Sequence, residues 1–191
     1  NTKVTNVTVK TTPTVSVNSS TICSGNSAAL IASGATTYSW STSASTSSIS
    51  VSPASNASYT VTGTTNGCTN TKVSNVTVKA TPTVAVNNST ICSGNSTALT
   101  ASGATTYSWS NSASTSSISV SPTTTTNYTV TGTLNGCTNT KVSTVNVNAT
   151  PTVAVNNSTI CSGNSTALTA SGALTYSWSN GATTNSVSVS P

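Results

Sequence analysis

The sequence predicts an all-β protein built from tandem small β-sandwich repeats, joined in an extended array with a period of 69. Three observations predict it. Cys23, Cys92 and Cys161 recur at that period, and Trp40, Trp109 and Trp178 keep the same interval, as do Pro13, Pro82 and Pro151 and the pair Cys68 and Cys137. The block TPTVAVNNSTICSGNSTALTASGA at 81–104 returns letter for letter at 150–173. Within each copy the apolar residues alternate with Ser and Thr at period two, and nothing keeps a helical period.

Boundaries set just before TPT divide the chain into repeats at 12–80, 81–149 and 150–191, the last being the N-terminal part of a truncated repeat. Residues 1–11 (NTKVTNVTVKT) match 70–80 (NTKVSNVTVKA) and are expected to form the last strand of a preceding repeat. The chain is therefore expected to be a window of a longer array, and no secretion signal is visible at Asn1. In the first full repeat, Val15 and Val17 mark one strand and Leu30 in AALIA marks the next. Tyr38 and Trp40, Ile49 and Val51, and Tyr59 and Val61 mark three more, and Val73, Val76 and Val78 mark the last. Turn signals separate them: Ser33-Gly34, Ser52-Pro53 and Asn66-Gly67, the last a strong hairpin signal. Six or seven short strands in a unit of this size suggest a small β-sandwich of immunoglobulin type.

Composition excludes most chemistry. The 191 residues include five Lys but no Asp, Glu or His, so general acid–base catalysis by carboxylate or imidazole is ruled out and no enzyme is expected. The same absence removes the carboxylates calcium prefers and the His ligands of most zinc sites; no metal and no cofactor are expected. An intramolecular Lys–Asn isopeptide bond, which uses a nearby carboxylic acid, is not expected either. The net charge of +5 reflects missing acids rather than clustered bases, so nucleic acid is not an expected partner. No run of 18 apolar residues is available to insert into a membrane. A weak attraction to anionic surface polysaccharide is the most the charge supports.

The motif TICSGNS, at 21–27, 90–96 and 159–165, raises the question of what its cysteine does. A nucleophilic thiolate needs a base or positive partner, and only the lysines are available. Two cysteines per small, thinly cored unit suggest a disulfide staple instead. The expected pairs are Cys23–Cys68 and Cys92–Cys137, each 45 residues apart, with Cys161 pairing at position 206 beyond the chain end. The rival is a cross-unit bond, Cys68–Cys92. Tyr38, Trp40, Tyr59, Tyr107, Trp109, Tyr128, Tyr176 and Trp178 are expected as core anchors, with a sugar-stacking platform as the alternative.

The Tyr-Ser-Trp element at 38–40, 107–109 and 176–178, the Asn-Gly-Cys at 66–68 and 135–137, and ICSGNS carry a resemblance. They resemble the Ig-like and PKD-like repeats of Bacteroidetes cell-surface proteins, including the gliding-adhesin (SprB-like) repeats exported by the type IX system. The resemblance implies a very large secreted surface protein. Together with the short linker KATPT between Val78 and Val84, it leads to the expectation of an extracellular structural and adhesive stalk or filament. A glycan-binding array and a self-assembling extracellular fibre subunit are the alternatives. The expected partners are neighbouring repeats of the same chain, further copies in a fibre, and surface polysaccharide.

Overall fold

A computed structural model describes residues 3–191. The first repeat holds seven strands: β1 (Ser16–Val17), β2 (Ser20–Cys23), β3 (Ala28–Ser33), β4 (Thr37–Trp40), β5 (Ser48–Val51), β6 (Ala57–Thr65) and β7 (Cys68–Lys79). One period on, the same seven bounds return as β8 (Ala85–Val86), β9 (Ser89–Cys92), β10 (Thr97–Ser102), β11 (Thr106–Trp109), β12 (Ser117–Val120), β13 (Thr126–Leu134) and β14 (Cys137–Asn148). The third copy carries β15 (Ala154–Val155), β16 (Thr166–Ser171) and β17 (Ser186–Val189). By packing, the chain divides into two compact units, one of Asn1–Asn87, Thr100–Ile118 and Tyr128–Ser143, the other of Asn88–Leu99, Ser119–Asn127 and Thr144–Pro191.

In the first repeat β1, β3 and β5 form one sheet, and β2, β7, β6 and β4 form the other. Their inner faces meet in one core of Val15, Ala28, Leu30, Ala32, Trp40, Val51, Val61 and Val76. Alternation decides which residues enter it. In β3, Ala28, Leu30 and Ala32 are buried while the residues between them are exposed, Ile31 to 58%. In β7, Val76 is buried, whereas Val73, an odd number of residues away, lies on the outer face.

Strand β2 is not signalled by the alternation, and it exists because the chain changes sheets at Asn18. The Asn18 side chain stays with the first sheet, accepting from the Ile31 amide at 2.7 Å and donating to the Ala29 carbonyl at 3.0 Å. Its own carbonyl accepts from the buried Ser74 hydroxyl of β7 at 2.6 Å. The next residues then pair with β7 instead of β3.

The Asn66-Gly67 pair behaves as the hairpin signal predicts. Both residues have positive φ, 52° and 83°, and Thr65 faces Cys68 across the turn. That geometry belongs to the tight turn whose twist matches the flanking strands.

Residues 3–11, expected as the last strand of a preceding repeat, form no strand within this chain, which does not include that repeat; residues 1 and 2 of the segment lie outside the described residues. The matching segment 72–79 is a strand because β6 and β2 hydrogen-bond to it. Segment 3–11 has neither neighbour, and Val4, Val7 and Val9 are more than four-fifths exposed. The third copy obeys the same rule. Thr175–Trp178 and Ser158–Cys161 match β4 and β2 in sequence but carry no strand, because the copy at 150–191 contains no counterparts of β6 and β7 to pair with.

Gly34 and Gly25 have nearly the same φ, +90° and +89°, in different surroundings. A Cβ on Gly34 would collide with the Thr14 carbonyl, while one on Gly25 would meet open space. Gly25→Ala is expected to cost about 1–2 kcal/mol from the left-handed backbone alone. Gly34→Ala is expected to cost about 2–5 kcal/mol, because the backbone must also move. Denaturant midpoints of the two variants check this, and equal losses would refute it.

Candidate functional site: a clamped junction between repeats

The site is assembled by the end of β7. β2 runs parallel to its last four residues, with Ser20 opposite Val76, Ile22 opposite Val78 and Cys23 opposite Lys79. The Ser24 amide extends the pairing to the Lys79 carbonyl at 2.8 Å. Cys23 therefore leaves the sheet at the level where the chain enters the linker to the second repeat.

The linker is held on its far side by β14 and the turn before it. Lys79 Nζ donates to the Asn135 carbonyl at 3.0 Å, and Asn139 Nδ2 donates to the Pro82 carbonyl at 3.0 Å. Pro82 itself is fully buried. Gly132 leaves room for Val84, whose methyl group occupies the space a Cβ would need. Asn135 and Gly136, at φ 53° and 85°, turn the chain so that Cys137 opens β14. Cys137 is 1% exposed and bonded to Cys23, with the Cα atoms 5.7 Å apart and 114 residues of separation.

The expected pairs Cys23–Cys68 and Cys92–Cys137 are therefore corrected. Cys23 is level with Lys79, the last residue of β7, and Cys68 is the first. Twelve residues of strand at about 3.3 Å each place the two ends roughly 35 Å apart, whereas a disulfide spans about 4–7 Å between Cα atoms. Cys92 likewise ends β9 level with Asn148, the last residue of β14, of which Cys137 is the first. The rival Cys68–Cys92 bond is also absent: Cys68, Cys92 and Cys161 are free thiols. The repeat does not signal this partnership, because the interval from Cys23 to Cys137 occurs once in the sequence, whereas the within-repeat interval of 45 occurs twice. The β-branched Thr21-Ile22 before Cys23 is the signal that would have placed that cysteine on a strand of its own.

The aromatic residues are engaged in the sandwich. Trp40 and Trp109 are each 3% exposed and donate Nε1 to the carbonyls of Thr46 and Thr115, at 2.8 and 2.9 Å. Trp178 makes the same bond to Thr184 at 2.8 Å but is half-buried. The Tyr38, Tyr107 and Tyr176 hydroxyls accept from the amides of Ala35, Ala104 and Ala173 at 3.0–3.1 Å, tying down the turn after each Ser-Gly. Tyr59 packs against the first core, and both it and Tyr128 are half-buried.

No family model matches the chain, and no curated protein matches it. Among solved structures it is similar to a three-Ig fragment of titin in an E-to-A variant, at 10% identity, with 85% of this chain and 77% of that chain covered and a TM-score of 0.39. It is also similar to the three N-terminal domains of the Highly Immunogenic Outer Capsid protein of bacteriophage RB49, at 20% identity, 84% and 67% coverage and a TM-score of 0.34. The N-terminal four Ig domains of Dscam1 follow at 11% identity, 69% and 44% coverage and 0.31. The assignment of an immunoglobulin-like sandwich rests on the strand order and the shared core rather than on these scores.

In the chain-entropy view, closing a loop of this length stabilises by about 4–5 kcal/mol. Peptide mapping without reduction is expected to recover Cys23 linked to Cys137, with Cys68, Cys92 and Cys161 alkylated beforehand. A Cys23–Cys68 peptide would show that the strand ends meet in some other way.

Proposed function

We propose that this chain is a non-enzymatic, load-bearing stretch of the stalk or filament of a large extracellular bacterial surface protein, acting in adhesion. The observation that carries this reading is the covalent clamp between successive repeats. Tension entering the first repeat at its linker meets Cys23 after the two short strands β1 and β2, crosses to Cys137, and continues along β14 toward the next linker. The residues between the two cysteines are bypassed, so the repeats do not need to resist unfolding by their cores alone. For a small sandwich rich in Ser and Thr, that offsets the limited apolar burial.

Three further points support it. Disulfides persist outside the reducing cytosol. Among the described residues no helix is long and apolar enough to cross a membrane. The resemblance to gliding-adhesin repeats points to the bacterial surface, with neighbouring repeats as the first partners and anionic polysaccharide as a weak one. The glycan-platform alternative loses ground because Trp40 and Trp109 are buried and the Tyr38 and Tyr107 hydroxyls are already bonded.

Single-molecule stretching of the chain held by its two ends tests this. With the bond intact, the 114-residue separation is hidden from the force; at about 3.5 Å per residue, reduction is expected to add roughly 400 Å of contour length. The same contour length before and after reduction would sink the reading.

A further inference from the structure

The sequence contains three Asn-Gly pairs, at 66–67, 135–136 and 180–181, and all six residues are exposed. An asparagine followed by glycine is open to one particular reaction. The glycine amide nitrogen attacks the asparagine side-chain carbonyl carbon and expels ammonia, and glycine has no Cβ to hinder the approach. The attacking form is the amide anion, whose charge is shared with the asparagine backbone carbonyl oxygen through peptide resonance. A cation donating to that oxygen therefore favours the reaction.

Two of the three pairs have such a cation. Lys79 Nζ donates to the Asn135 carbonyl at 3.0 Å, and Lys10 Nζ donates to the Asn66 carbonyl at 2.9 Å. No carboxylate side chain exists in the protein to compete for either ammonium. Both pairs form the same two-residue turn, with φ of 52° and 53° at the asparagines and 83° and 85° at the glycines. Among the described residues neither the Gly67 nor the Gly136 amide has a hydrogen-bond acceptor. A Cβ on either glycine would meet nothing, so the turn has room to move. Ring closure rotates the peptide plane about the asparagine Cα–C bond, and the flexible lysine stem lets the ammonium follow the oxygen.

The third pair differs at each point. The Gly181 amide donates to the Trp178 carbonyl at 2.9 Å, and the Asn180 side-chain oxygen accepts from the Ala182 amide at 3.2 Å. Both reacting groups are thus occupied. Asn111 and Ser112 make the same two bonds in the second repeat, at 3.2 and 2.9 Å, so this arrangement belongs to the turn after each Trp rather than to the third copy.

We propose that Asn135 and Asn66 are sites of self-promoted deamidation, with Lys79 and Lys10 stabilising the attacking amide. The Gly136 nitrogen loses its proton to solvent base and bonds to Asn135 Cγ. The Cγ–Nδ2 bond breaks, and ammonia leaves with a proton taken from water. A second water opens the five-membered imide at one of its two carbonyls, giving Asp or the isomer whose backbone runs through Cβ and Cγ. In sum, one side-chain amide and one water become one carboxylic acid and one ammonia, and nothing is oxidised or reduced. Either product sets a carboxylate beside the Lys79 ammonium, in a chain that has no other acidic side chain. The isomer also lengthens by one backbone atom the turn that presents Cys137 to Cys23. The proposal is independent of the filament reading.

The native, disulfide-bonded chain held at mildly alkaline pH and followed by peptide mass mapping tests this. Each deamidation adds about 1 Da to its peptide, and fragmentation assigns the position. Asn135 and Asn66 are expected to react about five- to ten-fold faster than Asn180, below the roughly 10²–10³ of a buried oxyanion donor because both lysines face solvent. Lys79→Met is expected to slow Asn135 to the Asn180 rate and leave Asn66 unchanged, and Lys10→Met to do the reverse. Damage to the turn does not imitate this, since a loosened turn frees Asn135 and speeds its loss. In denaturant the three rates are expected to converge. Asn180 keeping pace in the native chain, an Asn135 rate unchanged or raised by Lys79→Met, or a spread of rates that survives denaturation would overturn the proposal. So would a native chain that gains no mass at Asn135 or Asn66 while the denatured chain does.

Discussion

The parallel pairing of β2 with the last four residues of β7 is the constraint on which the rest of the molecule depends. A parallel strand added at the end of β7 puts the terminus of β2, and so Cys23, beside Lys79 rather than beside the hairpin where Cys68 sits. Had the first strand stayed wholly with β3, it would have brought no cysteine to this end. The switch is made by Asn18, whose side chain satisfies the sheet being left while its carbonyl is taken by the Ser74 hydroxyl of the sheet being joined. Backbone groups leaving one ladder need partners at once, and a single amide side chain with one buried hydroxyl supplies them.

From that pairing the junction follows. The linker starts at Lys79, its proline is buried and its carbonyl is held by Asn139, and the Asn135-Gly136 turn presents Cys137 to Cys23. Each contact is modest alone. Lys79 has no carboxylate side chain to pair with anywhere in the chain, so it is held by a carbonyl oxygen. The covalent bond ties the end of β2 in the first repeat to the opening of β14 in the second.

The sandwich itself was largely legible in the sequence. Alternation marked the positions of β3 to β7, Asn66-Gly67 marked the tight hairpin, and Trp40 lies in the core that the pattern pointed to. Two elements were not legible. β2 is four residues long with one large apolar side chain, too short for a periodic signal, and its existence depends on a long-range neighbour. Residues 3–11 carry the same valine pattern as β7 but form no strand, because strand identity resides in the hydrogen-bonding partner as much as in the residue.

By itself the sequence determined the repeat length, the all-β character, the inward face of most strands and the lack of any carboxylate or imidazole side chain. These follow from local properties: periodicity, turn residues and the side chains present. It could not determine which cysteines bond. Cys68–Cys92 recurs as Cys137–Cys161 and Cys23–Cys68 recurs as Cys92–Cys137, so periodicity does not choose between them, and it gives no sign of Cys23–Cys137, whose interval occurs once. The tertiary structure decided among them, because strand length separates Cys23 from Cys68 by roughly 35 Å while the docked linker brings Cys137 to 5.7 Å. Covalent partners are chosen by proximity in the folded chain, and a repeating sequence carries no information about which end of a strand faces its neighbour.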